Sequence, residues 1–123
     1  MNRICTYGIY RKDMAGYDFL HRSFGQNSVL YKRTVNILGY KMYDAIFRAD
    51  VEFTGNPKDK IVVDLLLVDD YVYEYMKRVR TRDYFEHLIS IDYELYSIFI
   101  EWPLREENKE VEDGDWVKFN KNM

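Results

Sequence analysis

The sequence predicts an α+β fold in which one small mixed sheet, strongly coiled or closed into a barrel, carries two helices, with residues 1–123 forming a single domain. Two observations carry this reading. Short apolar runs rich in β-branched and aromatic residues recur along most of the chain, while only two stretches show apolar spacing of three to four. No repeat or linker interrupts them, and 123 residues supply one core that buries about two-thirds of the unfolded chain's surface.

In chain order, RICTYG (3–8) reads as a strand closed by a glycine turn. DMAGYDFLHRSFG follows as a short helix, with Met14, Tyr17, Leu20 or His21, and Phe24 on one face, Asp13 as N-cap and Gly25 as stop. Residues 35–53 read as two strands broken near Asp44, and TGNPKDK as a surface loop. The run IVVDLLLV (61–68) is almost continuously apolar, which fits a strand covered on both faces. Neither it nor residues 2–8 carries edge-protecting charge over most of its length, so the two are expected side by side in the sheet interior. DDYVYEYMKRVR gives the second helix, capped by Asp69 or Asp70, with Val72, Tyr75 or Met76, and Val79 inward. YFEHLISI and ELYSIFIEW form a hairpin around Asp92, with Phe85, Leu88 or Ile89, Ile91, Leu95, Ile98 and Ile100 inward in some register. REENKEVEDGD is too charged to pack and reads as a solvated loop, and WVKF as a last short strand or arm.

Composition narrows the function classes. With 18 basic and 21 acidic residues the net charge is −3, which offers no field for nucleic acid or an anionic membrane surface. No apolar stretch approaches the ~18 residues of a membrane span, and MNRICTYGIYRK lacks the apolar run of a signal peptide. Cys5 is the one cysteine, which fits a reducing, cytoplasmic home and excludes an intrachain disulfide. His21 and His87 lack an acidic partner at ligand spacing, and the acidic run 106–115 lacks the oxygen pattern of a calcium loop, so no metal and no cofactor is expected. Twelve Tyr and seven Phe suit a ring-lined pocket, and a composition rich in Asn, Lys, Ile and Tyr suits a phage or mobile-element accessory protein.

The order of short motifs carries a resemblance. ICTYGIYRKDMAGYDFL resembles the opening strand and YGTLRRG loop of the γ-glutamylcyclotransferase-like family, with Tyr7 and Gly8 matching its tyrosine-glycine pair and Arg11 and Lys12 its basic pair. LGYKMYDA, KIVVDLLLVDD, YMKRVRTRDYF and GDW then look like the family's later segments in family order, so that the resemblance covers nearly the whole chain. It implies a small mixed-sheet barrel with two helices around one pocket. It also implies a chemistry in which a γ-glutamyl amide cyclises to 5-oxoproline and expels an amine. That reaction needs a base to move the ammonium proton and donors for the carboxylate and oxyanion. Carried over by position, the backbone of Tyr7, Gly8, Ile9 and Tyr10 forms an anion cradle, and Tyr43 and Tyr84 belong with it to the ligand-binding set.

At the base the chain departs from the pattern. The family's Leu-Asp-x-Leu-Glu-Gly falls on Met76, Lys77, Arg78, Val79, Arg80 and Thr81, so Arg80 stands where the resemblance places the catalytic glutamate. A guanidinium cannot accept a proton at working pH. Ile9 and Tyr10 replace Thr-Leu as a second departure, making the pocket mouth bulkier. Asp83 is the neighbouring carboxylate that would rescue the chemistry. Two readings stand: a non-catalytic module whose pocket, with Arg80 added to the ligand-binding set, holds a small anionic ligand or a protein partner, and an active cyclotransferase on γ-glutamyl compounds with Asp83 as a displaced base. Arg80 also has a plain structural reading, since cations near a helix C-terminus are favoured.

Overall fold

Both sides of the apolar run 61–68 find a partner. In the computed structural model, which describes residues 1–45, 48–80, 83–101 and 109–121, strand β1 spans Asn2–Thr6, β2 Val29–Leu38 and β5 Lys60–Val68. β5 pairs antiparallel with β1 on one side and β2 on the other. Beyond β1, strand β7 (Glu94–Glu101) pairs in parallel, and β6 (Tyr84–Ile91) closes the row antiparallel to β7, giving the order β2-β5-β1-β7-β6. β1 and β5 are therefore adjacent interior strands, as their lack of edge charge implies.

The expectation of one sheet closed into a barrel is corrected: among the described residues there are two sheets, of five and three strands. Gly39 supplies the reason. At φ +90 it breaks the long ribbon between β2 and β3 (Tyr40–Asp44), and its backbone bonds Asp59 O and Thr54 N, which turns the chain off the first sheet. β3 then pairs with β4 (Ala49–Phe53) and with β8 (Lys109–Glu110) in the second sheet. The reading of 35–53 as two strands placed the break near Asp44 correctly but missed the earlier break at Gly39 and that β2 begins at Val29.

Strand pleating sends alternate residues to two cores. Cys5, Val63, Leu65, Ile98 and Ile100 face the second sheet and Trp116, whereas Ile4, Leu66, Val68 and Phe99 face the helices. This double covering explains why β5 is continuously apolar. The helix-side layer consists of α1 (Ala15–Phe24) and α2 (Asp70–Arg78). Asp69 caps α2 by accepting from Val72 N at 2.9 Å. Asp13 does not cap α1: it sits at φ 73 in the preceding turn, and Met14 holds the N-cap position, while Gly25 at φ 101 ends the helix as expected.

Three further expectations change. WVKF is not a strand but opens a third helix, α3 (Trp116–Lys121), whose N-terminus is capped by Asp115 through Lys118 N at 3.2 Å; Trp116 and Phe119 stack on one face. Of the charged run 105–115, residues 105–108 lie outside the described residues, while 109–110 form β8 and Val111 and Gly114 are buried. In the hairpin, Ile98 and Ile100 are buried and Ile89 and Ile91 pack against the core, but Phe85, Leu88 and Leu95 are exposed. A one-residue register choice of that kind is invisible when both alternating sets contain apolar residues. Among the described residues no helix is long and apolar enough to cross a membrane.

Candidate functional site

Four chain segments end around one cavity of about 280 Å³: the loop after β1, the start of β4, the last turn of α2 and the end of β7. Tyr7, Gly8, Ile9 and Tyr10 form its loop wall. Arg11 N donates to Gly8 O at 3.0 Å, closing a tight turn, and Gly16 N donates to Ile9 O at 3.0 Å. In a planar trans peptide the N–H points opposite its C=O. The amides of Ile9 and Tyr10 thus face away from these internal bonds, and among the described residues nothing accepts from either. Tyr7 crosses to the opposite wall, its hydroxyl donating to Phe99 O at 2.7 Å. Burial pushes that phenol up to about 12, with Arg80's charge working against it, so Tyr7 is a neutral anchor.

Gly16 lies beneath this loop. A Cβ there would stand 2.7 Å from Ile9 O and 2.9 Å from Tyr10 Cδ1, so the loop backbone must move to admit any side chain. Gly16→Ala is expected to keep the fold, because alanine is about 1 kcal/mol better than glycine inside a helix, yet to weaken ligand binding at the loop at least about tenfold. Equal affinity of the two proteins by calorimetry would show that the loop amides do not touch the ligand.

The far wall is charged. Arg80 follows the end of α2 and lies mostly buried, its side chain 13% exposed; its Nε donates to Met76 O at 2.9 Å, and its guanidinium sits 5.5 Å above the Phe99 ring. Helix-end capping and a place in the cavity wall are thus both true of Arg80. Its Nη1 stands 3.8 Å from Glu101 Oε1, while Glu101 Oε2 accepts a short hydrogen bond from Arg48. Arg48 also faces Asp50 at 3.8 Å, and both carboxylates are buried. Cys5 lines the cavity too, and burial pushes its thiol up to about 12, leaving it uncharged and no nucleophile.

Arg80 and the loop 7–10 therefore share one cavity, whereas the other three expected site residues do not line it. Asp83 is exposed, past the end of α2. Tyr84 is on β6 with its ring 5.9 Å from Phe99, and Tyr43 on β3 pairs its hydroxyl with Glu52 at 3.3 Å. The reading of the sequence missed Arg48, Asp50 and Glu101. A signal existed in FIEW and FRAD, where charges abut or interrupt runs that must be buried.

No protein-family model matches the chain, and no curated protein matches it. Solved structures do share its fold. PH0828 from Pyrococcus horikoshii is 20% identical with a TM-score of 0.77, over 99% of this chain and 95% of that one. YtfP from Escherichia coli is 20% identical with a TM-score of 0.71, over 96% and 98% of the two chains. The uropathogenic E. coli protein c4763 is 9% identical with a TM-score of 0.78, over 99% and 97%. Likeness at these identities establishes the fold alone.

Proposed function

We propose that this protein is a γ-glutamylcyclotransferase-like binding module that captures a small anionic ligand in the cavity without cyclising it. The observation that supports the reading is the placing of Arg80, a cation in the position where the resemblance puts the base, across the cavity from unused loop amides. Backbone donors, a guanidinium and the face of Phe99 together suit an anionic group attached to a flat or apolar body. A volume of about 280 Å³ is small for a ligand site, which favours a metabolite over a nucleotide.

Arg80→Ala should weaken binding by about 1.5–3 kcal/mol, the scale of a charge-assisted hydrogen bond. Because Arg80 is buried rather than a surface charge, the same change should also lower stability, by about 1–3 kcal/mol, through the loss of its bond to Met76 O and its packing on Phe99. Calorimetric titration with γ-glutamyl amino acids, simple carboxylates and nucleotides tests it; a binder indifferent to Arg80→Ala would return the arginine to capping its helix.

A second reading rests on one observation of its own. Two buried carboxylates, Asp50 and Glu101, line the cavity where Asp83 does not, and Glu101 is the one beside Arg80. Both of its oxygens face guanidiniums, so one arginine must withdraw before it takes a proton from a substrate ammonium. That is why the binding reading comes first. Release of 5-oxoproline from γ-glutamyl amines, abolished by Glu101→Gln, would reverse the order.

A further inference from the structure

The geometry points to Glu101 as the residue that sets which anions this cavity accepts; the inference rests on the binding reading above. Arg80 is held at one corner only. Its Nε is bonded to Met76 O, and among the described residues its two Nη groups make no hydrogen bond, the nearest carboxylate oxygen, of Glu101, standing 3.8 Å from Nη1. That gap exceeds the ~3.2 Å limit of an N–H···O bond. Glu101 is gripped by Arg48 instead, through a short hydrogen bond, so it neutralises Arg80 across space without occupying its fork.

A planar carboxylate presented to the two Nη groups would form the parallel pair of bonds that a guanidinium favours. One negative charge replaces, for Arg80, the partial screening that Glu101 supplied. Among the described residues a second charge has nothing to meet: Arg48 is already engaged by Glu101 and faces Asp50, and the charges of the described lining, two arginines and two carboxylates, sum to zero. At the low effective dielectric of such a site, like charges a few ångströms apart repel strongly. Glu101 and Asp50 therefore admit a singly charged carboxylate and reject a dianion such as sulfate or a phosphate monoester. This narrows the small anionic ligands that the sequence left open to singly charged ones.

The test uses acetate and sulfate as probes, at matched ionic strength, with the Arg80 Nε–H resonance followed by NMR in the full chain and assigned by its loss in Arg80→Lys. The wild type should respond saturably to acetate and at least about tenfold more weakly to sulfate. Glu101→Gln should tighten acetate at least about tenfold and admit sulfate. Equal response to the two anions in the wild type overturns the inference without calling on any variant, as does acetate binding that Glu101→Gln leaves unchanged or weakens; in both cases the binding reading survives. No response to acetate in either protein overturns both.

Discussion

Replacing Arg11 by methionine is expected to cost about 3–5 kcal/mol of folding stability, the scale of leaving one partner of a buried pair without the other. Arg11 and Asp64 are 6% and 1% exposed, and Arg11 Nε lies 3.4 Å from Asp64 Oδ2. No hydrogen bond forms across that distance, so the guanidinium already carries one unsatisfied buried nitrogen. Its Nη1 does bond, to Asp115 Oδ1 at 2.6 Å. Asp64 also accepts from Lys12 N and from Thr34 Oγ1, both at 2.7 Å, so that deleting the arginine strands a carboxylate that cannot move out to water. Asp115→Asn should cost no more than about 1 kcal/mol, because its side chain is 25% exposed and solvent can replace the lost charge. Urea denaturation of both variants checks the ordering. Equal losses would mean that Asp115, not Asp64, is the partner that matters. The buried side chain of Arg11 anchors the residue whose backbone N–H closes the turn at Gly8, so a drop in ligand affinity should accompany the drop in stability.

Elements with a single dominant signal were legible from the residues alone. β5 announced itself by eight consecutive mostly apolar positions, α2 by an aspartate cap followed by inward residues at helical spacing, and the hairpin by two runs around Asp92. The loop wall of the cavity was legible for a different reason. It came from the resemblance carried by Tyr7 and Gly8, a short motif that reports backbone geometry. What failed to show was whatever depends on contacts between distant segments. Arg48, Asp50 and Glu101 meet only because β4 and β7 come together at the cavity, and Asp83, although three residues from Arg80 in sequence, is carried outward as the chain leaves α2. β2 hid for a local reason: LYKRTVNIL has a bulge between Tyr31 and Arg33, which breaks the two-residue alternation. α3 hid because six residues are too few to show a period, and the signal lay in the Gly-Asp pair before it.

That Gly-Asp pair carries the second large effect: Gly114→Ala should destabilise the protein by about 3 kcal/mol or more, adding a backbone clash to the ~1–2 kcal/mol of a left-handed alanine. Gly114 has φ +63, and a Cβ on it would stand 2.3 Å from Lys60 O and 2.7 Å from Ile61 Cα. Neither neighbour can yield, because both belong to β5, and Gly114 O itself accepts from Val62 N at 2.8 Å. Removing chain entropy from the unfolded state returns only about 0.4–1 kcal/mol. Gly25 provides the control: its φ of +101 with ψ 156 is at least as unsuited to alanine, but nothing lies within 4 Å of the added carbon. Gly25→Ala should therefore show a conformational cost alone, and a greater loss for Gly114→Ala in urea gives a lower bound on the clash. The damage at 114 should also travel. Gly114 sets the direction of Asp115, which caps α3 through Lys118 N and binds Arg11, and Arg11 closes the turn that presents the loop amides to the cavity. At temperatures where Gly114→Ala is still folded, its ligand affinity should fall while that of Gly25→Ala stays at the wild-type value; the same affinity in both variants would break this chain of contacts between Arg11 and the cavity loop.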